Sequence, residues 1–256
     1  MRDPWALYDG LIEGVPRGIA VTGWCLGTRW AYVDAECGMG LSLTVNGGVG
    51  RYGLADADNN RDLRELAAYA KSWNFREASV GVAALNAWYS APGRLAVAGV
   101  QLDAIGSRGD DAFRVCRPRL RGRKVAVIGH FPSVEELADE CELTVLERSP
   151  LSPADLPDSA CEYVLPEQDF VFITGTAITN KTVVRLLELS QEPRCILVGP
   201  SVVPSHLLFE AGADVIAGSV VLDPPRVRRL VERGAAMLFG EGVRMVHLER
   251  ERAWSL

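Results

Sequence analysis

Two patterns of apolar and polar positions divide the chain. In the first third, three short β-rich runs are separated by glycine-containing turns and followed by segments with apolar residues at helical spacing. From residue 124 onward, short and almost wholly apolar runs alternate with helical segments. This change predicts an α+β domain followed by a Rossmann-like α/β domain, and we place them at residues 1–118 and 119–256.

The first domain is predicted to be an antiparallel meander with helices, because short connections between β-rich runs favour antiparallel neighbours. Asn74 and Glu77 stand at the N-cap and third positions of the longest helix, as in a capping box. The strands are expected at 18–25, 28–34 and 39–45, and the helices at 3–15, 62–72 and 75–90. Residues 91–123 are expected to be a connector. Its run RVCRPRLRGRK, with six basic residues, is either a solvated linker or a site that recruits an anionic ligand.

The second domain is predicted to be a parallel sheet covered by helices on both faces. Its strands are short and nearly all apolar, which is typical of strands buried on both sides. Two helix starts are marked, one by Ser133 with Glu136 and one by Asp223 before two prolines. The strands are expected at 125–129, 143–147, 170–174, 195–199, 214–218 and 243–248, and the helices at 134–140, 181–190, 205–212 and 225–234.

The strand ends of the second domain are the expected ligand site. In open α/β sheets, ligands bind beyond the carboxyl ends of the strands, where the strand order reverses. Most of these ends begin with glycine, which either allows a ligand to approach the backbone or simply suits a tight turn. Asn86, a polar residue in an apolar helix, either satisfies a backbone group or faces the same cleft. The candidate residues at the strand ends are Gly129, His130, Glu147, Arg148, Gly175, Thr176, Asn180, Lys181, Gly199, Pro200 and Ser201.

The residues at the first two strand ends are compatible with two kinds of ligand, a metal ion and an adenosine-containing molecule. His130 is a candidate metal ligand or acid–base group, or else a polar turn residue. The turn GHFPSVE lacks the GxGxxG fingerprint, which disfavours NAD. Glu147 nevertheless ends the second strand, 18 residues after Gly129, where an acid accepts hydrogen bonds from ribose hydroxyls. An adenosine-containing ligand such as S-adenosylmethionine therefore stays open. The later segment TGTAITNKT is either an anion site that includes Lys181 or a capped turn.

The composition and net charge of the chain indicate which classes of partner are expected. The 256-residue chain is 48% hydrophobic and 23% charged, as expected for a globular protein, and its net charge of −6 argues against nucleic acid. Neither a signal peptide nor a membrane-spanning run is recognised, so a cytoplasmic protein is expected. The six cysteines and three histidines show neither CxxC nor HxxxH spacing. A local zinc motif is therefore not visible, and the cysteines are expected to be reduced.

Five motifs, in order along the chain, resemble those of the DUF4213/DUF364 proteins. They are ASVGVAALNA, VIGHFP, VLERSP, FVFITGTAITNKT and ILVGPSVVP, and the resemblance covers about residues 5–245. That family is labelled as heavy-metal chelation proteins, and the resemblance implies an enolase N-terminal-like domain followed by a Rossmann-like domain. It also implies a metal or metal-bearing small molecule in an interdomain cleft, with a link to anaerobic cobalamin or siderophore pathways. The resemblance carries family positions over onto all of the candidate residues above except Gly175.

The first functional expectation is therefore a protein that binds a metal-associated small ligand between its domains, with His130 as the candidate metal ligand. The alternative is an enzyme that uses an adenosine-containing ligand, with Glu147 on the ribose, and a third is an interaction scaffold. Whether the protein is an enzyme stays open.

The candidate cofactors are a divalent transition metal or, alternatively, S-adenosylmethionine. The expected partner is a small-molecule or metal ligand, with neither nucleic acid nor membrane, and a homodimer stays open. Replacing Gly129 with valine is expected to impair ligand binding more than folding, because it adds bulk at a turn.

Overall fold

The computed structural model describes residues 3–50, 53–54, 61–102, 111–132 and 134–250. Within them, a three-stranded antiparallel sheet is followed by a seven-stranded, mostly parallel sheet, with helices packed against both. The predicted fold class is confirmed. The strands are β1 (Val21–Leu26), β2 (Trp30–Ala35), β3 (Gly38–Leu43), β4 (Lys124–Ile128), β5 (Glu142–Glu147), β6 (Leu156–Pro157), β7 (Phe170–Thr174), β8 (Arg194–Val198), β9 (Val215–Val221) and β10 (Val243–Glu249). The helices are α1 (Ala6–Glu13), α2 (Leu63–Ala67), α3 (Phe75–Tyr89), α4 (Pro92–Val97), α5 (Ala112–Leu120), α6 (Cys161–Val164), α7 (Thr176–Thr179), α8 (Val183–Leu189), α9 (His206–Glu210) and α10 (Pro224–Glu232).

The first sheet is a meander in the order β1-β2-β3, as predicted. Its strands pair antiparallel, and Tyr32 of the central strand lies opposite Cys25 and Leu41. The 15-residue helix α3 packs across β2 and β3. Alanine and glycine positions along α3 let the helix approach the sheet closely, so that most of the helix is buried.

Only half of the predicted capping box forms at the start of α3. The Asn74 side chain accepts hydrogen bonds from the backbone N–H of Arg76 at 3.1 Å and of Glu77 at 3.5 Å. The Glu77 carboxylate does not return to Asn74; it accepts hydrogen bonds from the backbone N–H of Gly53 and from the Ser72 hydroxyl. The second half of the box was therefore a wrong prediction, because Gly53 and Ser72 bind the buried Glu77 carboxylate instead.

The second sheet has the order β10-β9-β8-β7-β4-β5-β6. Counted from β4, its first six strands follow the 3-2-1-4-5-6 order of a dinucleotide-binding sheet, with the reversal between β4 and β7. The two-residue edge strand β6 was not predicted. The prediction of a parallel sheet was wrong for β10, which runs antiparallel to β9. Val243 pairs with Val221, so the chain returns to the carboxyl end of β9 and runs back along it.

Two stretches differ from the predicted helices. The first predicted helix of the second domain has one 3₁₀ turn, Glu135–Leu137, and its expected cap, Ser133, lies outside the described residues. The expected connector contains two helices, α4 and α5, so that prediction was wrong. In α5, Phe113, Cys116 and Leu120 are buried at helical spacing in the core beside the second sheet. The prediction missed α5 because the many arginines of this stretch make the apolar spacing hard to recognise in the sequence.

One buried core runs through both parts of the chain, and hydrogen bonds join them. The Asn86 amide donates to the backbone oxygen of Leu41 on β3 at 2.8 Å and to that of Pro200, after β8, at 3.1 Å. The Ser201 hydroxyl accepts a hydrogen bond from the backbone N–H of Leu43 at 2.9 Å. These contacts hold the end of β3 against the carboxyl end of β8. The boundary between residues 118 and 119 stays a prediction.

All six cysteines are described and are free thiols, as expected. Cys116, Cys161 and Cys195 are buried, where a thiol packs as a small apolar group. Among the described helices, none combines the length and the apolarity that crossing a bilayer requires.

Candidate functional site

A cavity of about 580 Å³ lies beyond the carboxyl ends of β4, β5 and β7. The strand order of the sheet reverses at this point, between β4 and β7. Ligands of doubly wound sheets bind at such reversals, and small-molecule sites typically measure roughly 300–1,000 Å³. Position and size therefore both make this cavity the candidate site.

Many of the predicted residues meet in this cavity, because the carboxyl ends of neighbouring parallel strands lie along one edge of the sheet. The predicted residues in its lining are Gly129, His130, Glu147, Arg148, Thr176, Asn180 and Lys181. The others, Asn86, Gly175, Gly199, Pro200 and Ser201, are outside the lining that the described residues form. Asn86 is 2% exposed and Ser201 is fully buried, and both join the two parts of the chain as described above.

The lining also contains residues that were not predicted, and those with ionisable side chains are Asp158, Cys161, Glu162 and Arg185. Arg148 pairs with Asp158, with Nε and Oδ2 3.1 Å apart, and Arg185 pairs with Glu162, with Nη2 and Oε2 2.5 Å apart. The Arg185 guanidinium holds the pKa of Glu162 below its ordinary value. The two ion pairs attach the segment from β6 to α6 to the cavity rim. No sequence motif marks these residues. Asp158, Cys161 and Glu162 reach the site with the segment that follows β6 at the sheet edge, and Arg185 reaches it on α8.

The ring of His130 lies in the lining of the cavity. Its Nδ1 is buried and has no hydrogen-bond partner in the described part of the chain. Its Nε2 lies 3.9 Å from a carboxylate oxygen of Glu135, whose side chain is 83% exposed, so this contact is weak. Imidazole nitrogens are common ligands of transition metals. His130 therefore has an unpaired nitrogen, which a metal or a polar ligand in the cavity would reach after a rotation of the ring.

The described residues hold no group of three or more His, Cys, Asp or Glu side chains arranged to bind a metal ion. Cys161 lies in the cavity lining, but burial raises the pKa of its thiol to about 11, so the thiol is protonated at neutral pH. Protein metal sites usually have at least three protein ligands. A metal ion in this cavity would thus take most of its ligands from a bound molecule.

The turn between α7 and α8 orients a half-buried amine. The Asn180 side chain closes this turn by accepting hydrogen bonds from the backbone N–H of Thr182 at 3.1 Å and from its hydroxyl at 2.7 Å. Lys181, between them, has φ of +70°, a conformation that is uncommon outside glycine. Its ammonium group donates to the Thr179 carbonyl at 2.6 Å. Burial lowers the pKa of Lys181 to about 8.

The first sheet supplies one wall of the site. Leu43, at the end of β3, lines the cavity. A neighbouring recess of about 500 Å³, lined by Thr28, Arg29 and Val45 among others, shares Leu43 and Thr176 with it. The site therefore extends along the junction between the two parts of the chain.

Gly129 lies in the cavity lining, and its backbone conformation requires glycine. Its φ is +101°, and a Cβ at this position would lie 2.9 Å from the Cβ of Thr174. This geometry changes the expectation for valine at position 129, because the substitution strains the fold itself. We expect Gly129→Val to lower the free energy of unfolding by about 2 kcal/mol or more, measured by urea denaturation.

A matched control for this substitution is Gly23→Val in β1. An added Cβ at Gly23 meets nothing within 4 Å, and the residue is not in the left-handed region. We expect its free energy of unfolding to stay within about 1 kcal/mol of the wild type. Equal values for the two variants would show that Gly129 is not strained by a side chain.

Comparison with known proteins identifies the family of the chain. The DUF364 family model, described as "Putative heavy-metal chelation", matches residues 111–249, and the DUF4213 model, with the same description, matches residues 8–89. The crystal structure of a DUF364-family protein of unknown function from Desulfitobacterium hafniense DCB-2 has a TM-score of 0.89 at 34% identity, over 97% of this chain and 100% of that one. A DUF364-family protein of unknown function from Pyrococcus horikoshii shares the fold, with a TM-score of 0.77 at 20% identity over 95% and 98% of the two chains.

A curated relative gives a partial match. An uncharacterized protein from Methanocaldococcus jannaschii is 32% identical over 175 residues, which is 66% of this chain. The match spans 64% of that relative's own length. The DUF364 model by itself covers more than half of the 256 residues. The chain therefore belongs to the DUF364 family, and its first part matches DUF4213.

Proposed function

We propose that the protein binds a small organic ligand that carries a metal ion, in the cavity at the ends of β4, β5 and β7. The observation behind this proposal is the His130 nitrogen, which has no hydrogen-bond partner in the described part of the chain. The described residues also form no cluster of three side chains that could bind a metal ion by themselves. A family description of heavy-metal chelation agrees with such a site if the bound molecule supplies most of the ligands of the metal. His130 then completes the coordination.

The rest of the lining suits an organic ligand better than a bare ion. The lining contains the cations Arg148, Lys181 and Arg185, of which the two arginines already pair with carboxylates of the protein. It also contains the hydroxyl groups of Thr174 and Thr176, whose oxygens lie 3.0 Å apart. A volume of about 580 Å³ is also far larger than a hydrated ion needs. The resemblance to the family implies a link to anaerobic cobalamin or siderophore pathways, which agrees with the same class of ligand, because those pathways handle metals held by organic molecules.

A second candidate is an enzyme that uses an adenosine-containing ligand such as S-adenosylmethionine. The observation that favours it is the place of Glu147, which ends the second strand of a sheet with dinucleotide-binding order and lines the cavity. In that fold, an acid at this strand end accepts hydrogen bonds from the ribose hydroxyls. Here one oxygen of Glu147 accepts a hydrogen bond from the backbone N–H of Arg148 at 3.0 Å, which leaves the other for a ligand.

A thermal-shift assay on metal-stripped protein tests the first candidate. The probes are Ni²⁺ alone, Ni²⁺ bound to citrate, a cobalt-containing tetrapyrrole, and S-adenosylmethionine. We expect a chelated metal to raise the melting temperature by roughly 5 °C and the bare ion to have little effect, because a ligand of the folded state stabilises it. His130→Ala is expected to reduce the shift, since the metal loses its protein ligand.

The matched control is His206→Ala. His206 is exposed at the start of α9 and is not in the cavity lining that the described residues form, so this variant should respond like the wild type. A shift with bare Ni²⁺ that His130→Ala leaves unchanged would contradict the proposal. A shift with S-adenosylmethionine alone, lost in Glu147→Ala, would establish the second candidate instead.

A further inference from the structure

We infer that the ammonium group of Lys181 binds an oxyanion group, carboxylate or phosphate, of the cavity ligand. The inference rests on the proposed function, because it concerns the ligand of the same cavity. It names the chemical class of that ligand: a molecule that presents a negatively charged oxygen group at the end of the cavity where α7 meets α8.

The pairing of charges within the cavity sets Lys181 apart from the two arginines. Arg148 and Arg185 are each engaged by a carboxylate of the segment from β6 to α6. Lys181 has no carboxylate within 4 Å in the described part of the chain. An ammonium group has three donors, and the contact with the Thr179 carbonyl uses one of them. Two donors are thus available to a ligand.

The surroundings of the Lys181 ammonium group favour the binding of an anion. Its Nζ lies 5.7 Å from the ring centre of Phe75 and 6.0 Å from that of Tyr8. Tyr8 is buried and uncharged, since burial raises the pKa of its phenol. An ammonium group held among aromatic rings loses hydration energy. A nearby anion compensates for that loss, because charges attract more strongly in a medium of low dielectric constant.

The backbone holds the amine in place instead of leaving it mobile. The left-handed conformation of Lys181 is maintained by the two hydrogen bonds that Asn180 accepts from Thr182. Strained backbone conformations of this kind persist where the surrounding structure over-determines them, and they cluster at ligand sites. The hydroxyl groups of Thr174 and Thr176 lie in the same lining, and because one donates to the other at 3.0 Å, one O–H donor of the pair is left for a ligand.

Isothermal titration of the full-length protein tests the inference, with citrate and inorganic phosphate as separate probes between pH 7 and 9.5. In the wild type, affinity for the bound probe is expected to be highest near pH 7 and to fall as the pH rises through about 8, because Lys181 loses its charge there. Lys181→Met is expected to weaken binding at pH 7 by roughly tenfold or more. Lys181→Arg is expected to retain binding and to lose the decline above pH 8.

The comparison of wild type with Lys181→Arg isolates the lysine from the other ionisable groups nearby. Those groups are Tyr8 on α1, His130, Glu147 and Arg148 at the sheet edge, Asp158, Cys161 and Glu162 in the segment from β6 to α6, and Arg185 on α8; α3 presents the uncharged ring of Phe75. All of them are the same in both proteins. Lys71→Met serves as the charge control, because Lys71 pairs with Asp9 and is not in the cavity lining that the described residues form.

The two probes also identify the source of the oxyanion. Loss of citrate binding alone in Lys181→Met would assign a carboxylate, and loss of phosphate binding alone would assign a phosphate. Unchanged affinity and pH profile in Lys181→Met would overturn the inference, while a retained shift with nickel citrate would leave the proposed function standing. Failure of citrate, phosphate and nickel citrate to bind the wild type would overturn both.

Discussion

Replacing Gly81 with alanine is expected to lower the free energy of unfolding by about 3 kcal/mol or more. Gly81 lies in the middle of α3, where the helix touches the 3₁₀ turn Ala68–Lys71 that follows α2. A Cβ at Gly81 would lie 2.0 Å from the backbone nitrogen of Ala70 and 2.4 Å from the carbonyl carbon of Tyr69. Backbone atoms do not rotate away as a side chain does, so the helix and the turn have to separate.

Helix propensity acts in the opposite direction at this position but is too small to compensate. Alanine in a helix interior is favoured over glycine by about 1 kcal/mol. Gly93 in α4 provides the matched control, because it is also helical and a Cβ there meets nothing within 4 Å. We expect Gly93→Ala to be neutral or stabilising by up to about 1 kcal/mol. Chemical denaturation measures both variants, and similar stabilities for the two would show that the helix and the turn are not in contact.

Replacing Asn86 with aspartate is expected to cost about 3–5 kcal/mol of stability and to loosen the contact between the two parts of the chain. The Asn86 nitrogen donates to the carbonyls of Leu41 and Pro200 in a setting where the residue is 2% exposed. A carboxylate would place a charged oxygen against two carbonyl oxygens. Burial also raises the pKa of such a carboxyl group, so the loss should be smaller at acidic pH, where the group is protonated, and should grow as the pH rises.

Asn46→Asp is the control for the same chemical change. Asn46 is exposed, and its side-chain oxygen accepts a hydrogen bond from Arg76 at 3.1 Å. A new negative charge next to an arginine in solvent is expected to change stability by no more than about 0.5 kcal/mol. Urea denaturation followed by tryptophan fluorescence and by circular dichroism measures both variants. A similar stability for Asn86→Asp and Asn46→Asp would mean that the buried amide does not join the two parts.

The elements that could be predicted from the sequence depend on local interactions. Asn74 starts α3 and Asp223 starts α10 by accepting hydrogen bonds from nearby backbone N–H groups. The apolar runs mark the strands wherever a strand is buried. The direction of β10 could not be predicted in this way, because an apolar run shows that a strand is buried and not which way it runs. The helix α5 was missed because its arginines dominate the composition around four buried residues.

The candidate site was predictable to the extent that it follows from strand ends. His130, Glu147 and Thr176 meet because they follow neighbouring parallel strands or end one of them. Cys161 and Arg185 could not be assigned to the cavity, because no motif marks either residue. Cys161 lies in the segment from β6 to α6, which reaches the site through edge pairing, and Arg185 lies on α8.

By itself, the sequence determined the fold class, the order of most elements and the sheet edge at which a ligand is expected, because periodicity, caps and strand ends are local properties. Only the tertiary structure decided which polar residues serve the fold and which face the cavity. Asn86 and Ser201 are used to join the two parts, whereas His130 and Lys181 keep polar groups available. Whether a polar side chain is satisfied depends on partners far away in the sequence, and those partners come together only when the buried core forms.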